Sequence, residues 1–306
     1  MEAMTRREFL ARGAGLGLAS LLPSLASAQD GRGPLVFKRI PGTSERLPAV
    51  GLGTAAVFDV GSDPVKRAAL AQVVHNLVSG GGTLIDTASS YGSSEGVVGD
   101  LVAQAGLRRQ VFIATKLEAP DGAELQRSLT RLRTDKVDLL QLHNVRDARQ
   151  SLAQFRQWQE GGVCRYVGIT STFHRDYEAV EAVLRREKPD FLQIDYSLDN
   201  RGAEQRLLPL AADLNCAVLT ALPFGRGRLF RAVRGRALPE WAKEFDAASW
   251  AQFFLKFLLG NAAVTAVIPG TADAAHMSDN LGAMRGRLPD AAQRKRMIEL
   301  LQSVDS

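Results

Sequence analysis

Short runs of Val, Ile and Leu recur along the chain. Between them lie longer windows whose apolar residues return every three or four positions. The runs are residues 50–54, 83–86, 111–115, 137–142, 164–169, 191–194, 217–220 and 264–268. They show little polar alternation, as expected of strands buried on both faces of a parallel sheet. The windows read as amphipathic helices. Asp63-Pro64 supplies an N-cap followed by proline at the first helical position, and Leu70, Val73, Val74 and Leu77 then share one face. Gly80-Gly81-Gly82 stops that helix. Asp121 with Glu124 predicts a capping box ahead of Leu125, Leu129 and Leu132. Further stripes are Tyr177, Val180, Val183, Leu184; Leu207, Leu210, Ala211, Leu214; and Trp250, Phe253, Phe254, Phe257, Leu258. These stripes are read as core.

Eight strand-type runs, each followed by a helix or a long loop, predict an α/β fold of the (β/α)8 TIM barrel type. Residues 36–40 and 46–48 flank Pro41-Gly42-Thr43-Ser44 and predict a short β-hairpin ahead of it. The competing fold is a doubly wound open sheet. It carries Gly-x-Gly-x-x-Gly after its first strand, whereas Gly51-Leu52-Gly53-Thr54 has no third glycine.

Composition narrows the class. The chain has 306 residues, 45% of them hydrophobic and 23% charged, with a net charge of +5. This is the balance of an ordinary globular protein with a large core. No Lys/Arg run interleaves with aromatics, so no nucleic-acid partner is expected. Cys164 and Cys216 lie in or beside strand-type runs and read as buried free thiols. Four histidines without ligand spacing predict no metal site.

Residues 1–28 read as an address rather than as fold. Thr5-Arg6-Arg7-Glu8-Phe9-Leu10 precedes an apolar stretch over 13–25, and Ala26-Ser27-Ala28 has the small-x-small form of a signal-peptidase site. The apolar stretch is short of the roughly 20 residues of a membrane span, so no permanent membrane anchor is expected. The paired arginines resemble a twin-arginine (Tat) signal. That resemblance implies the Tat export machinery as a partner, a periplasmic or otherwise exported location, and a barrel domain over 29–306.

In a (β/α)8 barrel the reacting groups come from the C-terminal ends of the strands. Asp86 ends the second run, Lys116 follows the third, His143 ends the fourth, and Tyr91 lies just past Asp86. A phenol near its ordinary pKa of about 10 is a weak acid at neutral pH. A neighbouring ammonium is expected to lower that value. Asp86 would keep Lys116 charged, His143 would orient a carbonyl oxygen, and Tyr91 would protonate it.

These residues sit in stretches similar to the aldo-keto reductase superfamily. The stretches are Leu52-Gly53-Thr54, Ile85-Asp86-Thr87-Ala88 with Tyr91-Gly92 and Ser94-Glu95, Thr115-Lys116, and Asp138-Leu139-Leu140-Gln141-Leu142-His143. The similarity continues through Tyr166-Val167-Gly168-Ile169-Thr170-Ser171, Gln193-Ile194-Asp195-Tyr196, Pro223-Phe224-Gly225-Arg226-Gly227, Val267-Ile268-Pro269-Gly270-Thr271 and Asp279-Asn280. The resemblance implies Asp86, Tyr91, Lys116 and His143 as a catalytic tetrad. It also implies an NADP(H) cofactor, and a small aldehyde or ketone reduced to an alcohol or the reverse. Thr170, Ser171 and Gln193 would hold the nicotinamide amide. Gly225 and Gly227, with Pro223 and Phe224, would form the pyrophosphate loop. Gly270 and Thr271 would contact phosphate, Asp279 and Asn280 would lie near the adenine, and Gly53, Thr54 and Asp86 complete the binding set.

Two positions depart from the family pattern. Ala221 stands where a Tyr often stacks on the nicotinamide, and His276 stands where an Arg often meets the 2′-phosphate. The second departure leaves NAD(H) open beside NADP(H), because a histidine's charge at neutral pH depends on its surroundings. The alternative reading of the chain is an exported nucleotide-binding sensor or regulatory subunit with little turnover. The loops after the first, fourth and seventh strands are expected to shape the pocket. The stretch 229–247, with Phe230, Leu238, Trp241 and Phe245, would cover its mouth or pack against the barrel.

Overall fold

The structure, a computed structural model, describes residues 33–145 and 148–305. The expected signal segment, residues 1–28, lies outside the described residues. β1 (Phe37–Arg39) and β2 (Arg46–Pro48) form the expected antiparallel hairpin. Eight parallel strands follow, each beside its sequence neighbour: β3 (Leu52–Gly53), β4 (Leu84–Asp86), β5 (Phe112–Leu117), β6 (Val137–Leu142), β7 (Cys164–Ser171), β8 (Phe191–Asp195), β9 (Ala217–Ala221) and β10 (Val264–Val267). The sheet closes on itself. Gly51 N donates to Val267 O at 2.9 Å, Val267 N to Ala49 O at 3.0 Å, and Gly53 N to Pro269 O at 3.1 Å.

The helices are α1 (Pro64–Ser79), α2 (Ser94–Gln104), α3 (Gly122–Arg131), α4 (Ala148–Glu160), α5 (Tyr177–Glu187), α6 (Leu207–Asp213), α7 (Arg228–Ala232), α8 (Trp250–Leu259), α9 (Ala274–Gly282) and α10 (Ala291–Asp305). Asp63 caps α1 by accepting from Val65 N and Lys66 N at 3.0 and 3.1 Å. The capping box expected at α3 is only half formed. Asp121 accepts from Ala123 N at 2.8 Å, but Glu124 turns its carboxylate to the Ser89 hydroxyl. The loop after β4 passes close enough to offer Glu124 that donor.

The two faces of each strand enter different cores, as the two-residue period requires. On β5, Phe112 and Ala114 join the barrel interior with Leu84, Leu139, Phe191 and Leu219. Ile113 and Leu117 join the outer layer beneath the helices. Ile40 and Leu47 of the hairpin segment also enter the interior cluster, so the hairpin plugs the barrel. Every apolar methylene removed from water there contributes about 0.8 kcal/mol. Trp241 and Phe245 pack edge-on and tilted against Phe253, and Leu238 packs on the same core. Most of the 229–247 stretch is therefore packing against α8. Phe230 is partly exposed and packs on both Phe224 and Phe254 of α8.

A buried carboxylate of the outer layer is fully paired. Glu95 is buried and accepts from Thr115 Oγ1 at 2.6 Å and from Arg131 at 2.6 and 2.8 Å, which ties α2 to β5 and α3. Cys164 and Cys216 are free and buried, as read from the sequence. Burial pushes the Cys164 thiol up to about 12 and Cys216 higher still.

α2 and α3 touch backbone to backbone at Gly99. A Cβ there would fall 2.2 Å from Arg131 O and 2.7 Å from the Leu132 carbonyl carbon. Neither atom can swing aside as a side chain would. Gly99→Ala is expected to cost about 1–3 kcal/mol through overpacking. Thermal unfolding should register this as a Tm several degrees lower, and an unchanged Tm would contradict the contact.

Candidate active site

Closing the sheet brings the C-terminal ends of its strands to one mouth. Asp86 is the last residue of β4 and His143 follows β6 by one position. Lys116 lies within β5 rather than after it, because that strand runs two residues past its expected end. The strand period carries Lys116 onto the same inward face as Phe112 and Ala114.

Lys116 and Asp86 are almost wholly buried, at 1% and 3% exposure. Lys116 Nζ donates to Asp86 Oδ2 at 2.7 Å and to Thr87 O at 2.8 Å. The other Asp86 oxygen accepts from Gln141 Nε2 at 3.4 Å, while Gln193 Nε2 lies 3.4 Å from Oδ2. Gln141 Nε2 also donates to Gln193 Oε1 at 2.9 Å, so β6 and β8 brace the carboxylate. Burial alone would lower the Lys116 ammonium. Asp86 and then Tyr91 outweigh it, and the group stands above its ordinary value.

Tyr91 follows a tight turn, its N–H donating to Ala88 O at 3.1 Å. The turn sets its ring with Lys116 Nζ 5.0 Å from the centroid. His143 meets the same ring edge-on, centroids 5.7 Å apart. The expectation that the ammonium lowers the phenol holds only for that one contribution. Burial is the larger effect, Asp86 and Glu118 add to it, and Tyr91 stands above its ordinary value. Burial and Lys116 hold His143 below its ordinary value, with Glu118 pulling the other way.

These groups face a cavity of about 490 Å³. Of the residues expected on a dinucleotide, Gly53, Asp86, Thr170, Gln193, Pro223, Phe224, Gly227 and Gly270 line it. Gly225 borders an adjoining cavity of about 260 Å³ that shares Thr172, Leu222 and Arg226 with the first. Thr54, Ser171, Thr271, His276, Asp279 and Asn280 line neither. Thr54 is buried with an unpartnered hydroxyl among the described residues. Ser171 Oγ donates to Asp176 at 3.1 Å, and Thr271 Oγ1 accepts from Asp273 N at 3.0 Å. His276 is exposed in the first turn of α9, and Asn280 is buried further along it. Asp279 ties α9 to α8 by accepting from Ser249 Oγ and Gln252 Nε2, both at 2.7 Å.

The loops expected to shape the cavity supply Ala55 and Val57, Asn144, and Leu222, Pro223, Phe224, Arg226 and Gly227. Sequence reasoning passed over several neighbours. Asn144 has a positive φ of 69° and donates from its backbone to Thr170 Oγ1 at 3.0 Å. Glu118 reaches His143, and Gln141 braces Asp86. Position was the available signal. Gln141 lies two residues before His143 and Glu118 two after Lys116, so each shares its neighbour's strand face or its continuation.

The aldo/keto reductase family model matches residues 49–297. Methylglyoxal reductase YeaE of Escherichia coli is 30% identical over 258 residues, covering 80% of this chain and 88% of that protein. The structure resembles an aldo-keto reductase from Klebsiella pneumoniae in complex with NADPH. The TM-score is 0.73 at 24% identity, over 86% of this chain and 94% of the other. It also resembles the holo form of aldo-keto reductase AKR11C1 from Bacillus halodurans. There the TM-score is 0.71 at 22% identity, over 88% and 96%. With the closed barrel, the buried Lys116–Asp86 pair at its mouth and a match across most of its length, the chain belongs to the aldo/keto reductase family.

Proposed function

We propose that this protein is an NADP(H)-dependent oxidoreductase that interconverts a small aldehyde or ketone with its alcohol. The observation that carries the reading is the Lys116 ammonium, held by Asp86 and set 5.0 Å from the Tyr91 ring in a cavity that also contains His143. When bound, the dinucleotide supplies or takes the hydride. The residues present fit such a group. The cavity is lined by polar Thr170, Gln193 and Asn144 together with apolar Val57, Leu222 and Phe224. Gly227 has a φ of +82°, which lets the backbone approach a ligand where a side chain would be strained. Arg228 is already paired with Asp199 at 2.7 Å, which leaves Arg226 on the cavity wall as the cation for a phosphate.

The proton follows from the local electrostatics. Burial keeps the Tyr91 phenol protonated through neutral pH, so the donor is loaded at rest. Lys116 favours negative charge on that oxygen and so favours release of the proton as the substrate oxygen becomes an alkoxide. His143 orients the substrate oxygen. In the reverse direction the same phenol oxygen takes the alcohol proton.

Export through the Tat route is part of the proposal. It is supported by Arg6-Arg7 ahead of Phe9-Leu10, the apolar stretch and Ala26-Ser27-Ala28 in that order. Two buried, unpaired thiols suit an oxidising compartment, because a thiol held well above its ordinary pKa is a poor nucleophile. Export after folding also fits a cofactor loaded in the cytoplasm.

Tyr91→Phe should retain NADPH binding by fluorescence titration and lose about 10²–10⁴-fold in turnover on a carbonyl panel. Full turnover in that variant would remove Tyr91 as proton donor. NADPH is expected to bind more tightly than NADH, and Arg226→Ala should narrow the gap; equal affinities would return NAD(H) as cofactor. In cells, replacing Arg6 and Arg7 with lysine should hold the uncleaved chain in the cytoplasm. Continued appearance in the periplasmic fraction would overturn the Tat assignment.

A further inference from the structure

Glu118 has no part in the chemistry described so far. It lies two residues past Lys116, beyond the end of β5, with its side chain about half exposed. Its Oε1 is 2.5 Å from His143 Nδ1, and Ser90 Oγ is 3.2 Å from the same nitrogen. Both contacts fall on one ring nitrogen. Nε2 is left for a ligand in the cavity that His143 lines.

An ionised carboxylate accepts hydrogen bonds and donates none. A ring nitrogen in contact with it must carry the proton. A neutral imidazole has a single N–H, so placing it on Nδ1 strips it from Nε2. We propose that Glu118 is a positioning residue that fixes His143 as the Nδ1–H tautomer and leaves a bare Nε2 facing the substrate site. Neutral His143 then accepts a hydrogen bond, which suits an alcohol hydroxyl. Only the imidazolium, with protons on both nitrogens, donates to a carbonyl oxygen. The hydride and the Tyr91 proton are unaffected in number; His143 forms a hydrogen bond and exchanges no net proton in turnover. The pair thereby sets whether His143 engages the carbonyl or the alcohol better at a given pH.

Lys116 and Glu118 face His143 from β5 and its continuation, Asp86 from β4, and Tyr91 from the loop after it. Ser90, from that same loop, adapts to either state because a hydroxyl both donates and accepts. Burial and Lys116 disfavour the imidazolium, while Glu118 and Asp86 favour it. Removing the Glu118 charge therefore moves the His143 titration downward.

The kinetic consequence rests on the reductase reading above, whereas the tautomer does not. The chain has four histidines, so ¹⁵N–¹H correlation spectra of the ¹⁵N-labelled protein can be assigned with His143→Gln. Above its titration point, wild-type His143 should give the Nδ1–H pattern. Glu118→Gln should lower that titration point by about 0.5–1 pH unit and release part of the population to Nε2–H. Glu118→Asp should fall between the two. In turnover, carbonyl reduction should rise as pH falls through the His143 titration, alcohol oxidation should show the opposite limb, and Glu118→Gln should move both limbs down by the same amount. An Nε2–H pattern in the wild type would overturn the proposal even if a variant failed to fold, and so would a titration that folded Glu118→Gln leaves in place. The expected spectra without any carbonyl turnover would support the role of Glu118 and count against the reductase reading instead.

Discussion

The site depends on keeping an ammonium charged where water does not reach. Burying Lys116 and Asp86 separately would cost several kcal/mol per ion. The cost is offset because their contact is short and their remaining hydrogen-bonding capacity is met from three directions: the Thr87 carbonyl, Gln141 and Gln193. Such an arrangement needs four strands held in fixed register. β4 supplies Asp86, β5 Lys116, β6 Gln141 and β8 Gln193, and the closed barrel points all four inward near its mouth. Removing either ion would strand the other, so the pair and the barrel mouth stand or fall together.

The same constraint explains the asymmetry between the two ends of the barrel. Toward the hairpin the interior holds Ile40, Leu47, Leu84 and Phe112. Past the Ala114 and Leu139 level the inward positions of three strands turn polar, and their sequences record the change: Phe-x-Ala-x-Lys on β5, Leu-x-Gln on β6, Phe-x-Gln on β8, while Ala221 of β9 and Ile268 just past β10 stay apolar. The outer faces of the same strands are mostly apolar; Thr115 reaches a paired carboxylate on α2, and Asp138 of β6 pairs with Arg108 and Arg165. One strand thus carries a helix-facing layer and a reaction-facing layer on alternate residues.

This alternation is why much of the fold was legible in the sequence. The eight strands are short, bounded by glycine or charge, and apolar on both faces, so each stood out as a run. Their limits were less so: β5 and β7 each extend two residues beyond the apolar run because Lys116, Thr170 and Ser171 are polar yet still hydrogen-bonded in the sheet. α2 was obscured because its buried set, Ser94, Glu95, Val97, Val98, Gly99, Leu101 and Val102, spreads around the helix and includes a charge and a glycine. The half-formed cap at α3 has the same kind of cause, since Glu124 found a partner in a loop distant in sequence. In the site, strand ends predicted where Asp86, Lys116 and His143 meet. The Tyr91 phenol was misjudged in its net direction because desolvation depends on the packing around it, which no spacing encodes. For Glu118, position two residues past Lys116 marked the strand face but not the partner: its significance lies in reaching His143 from 25 residues away.

Tyr91, proposed above as the proton donor, also clarifies what the buried ammonium would accomplish in that reaction. A proton donor whose acidity were raised permanently would lose its proton before substrate arrived. Here burial holds the phenol protonated at rest, and Lys116 opposes that effect without overcoming it. The balance changes when the neighbouring oxygen gains charge as hydride arrives. An alkoxide is a far stronger acceptor than water, and the phenolate left behind is met by an ammonium already in place. No group needs to reorganise at that moment, because Asp86, Thr87 and the two glutamines had oriented Lys116 when the barrel closed. The stability spent on burying an ion pair is in this sense the source of the reactivity, since the same charge free in solvent would be screened and mobile.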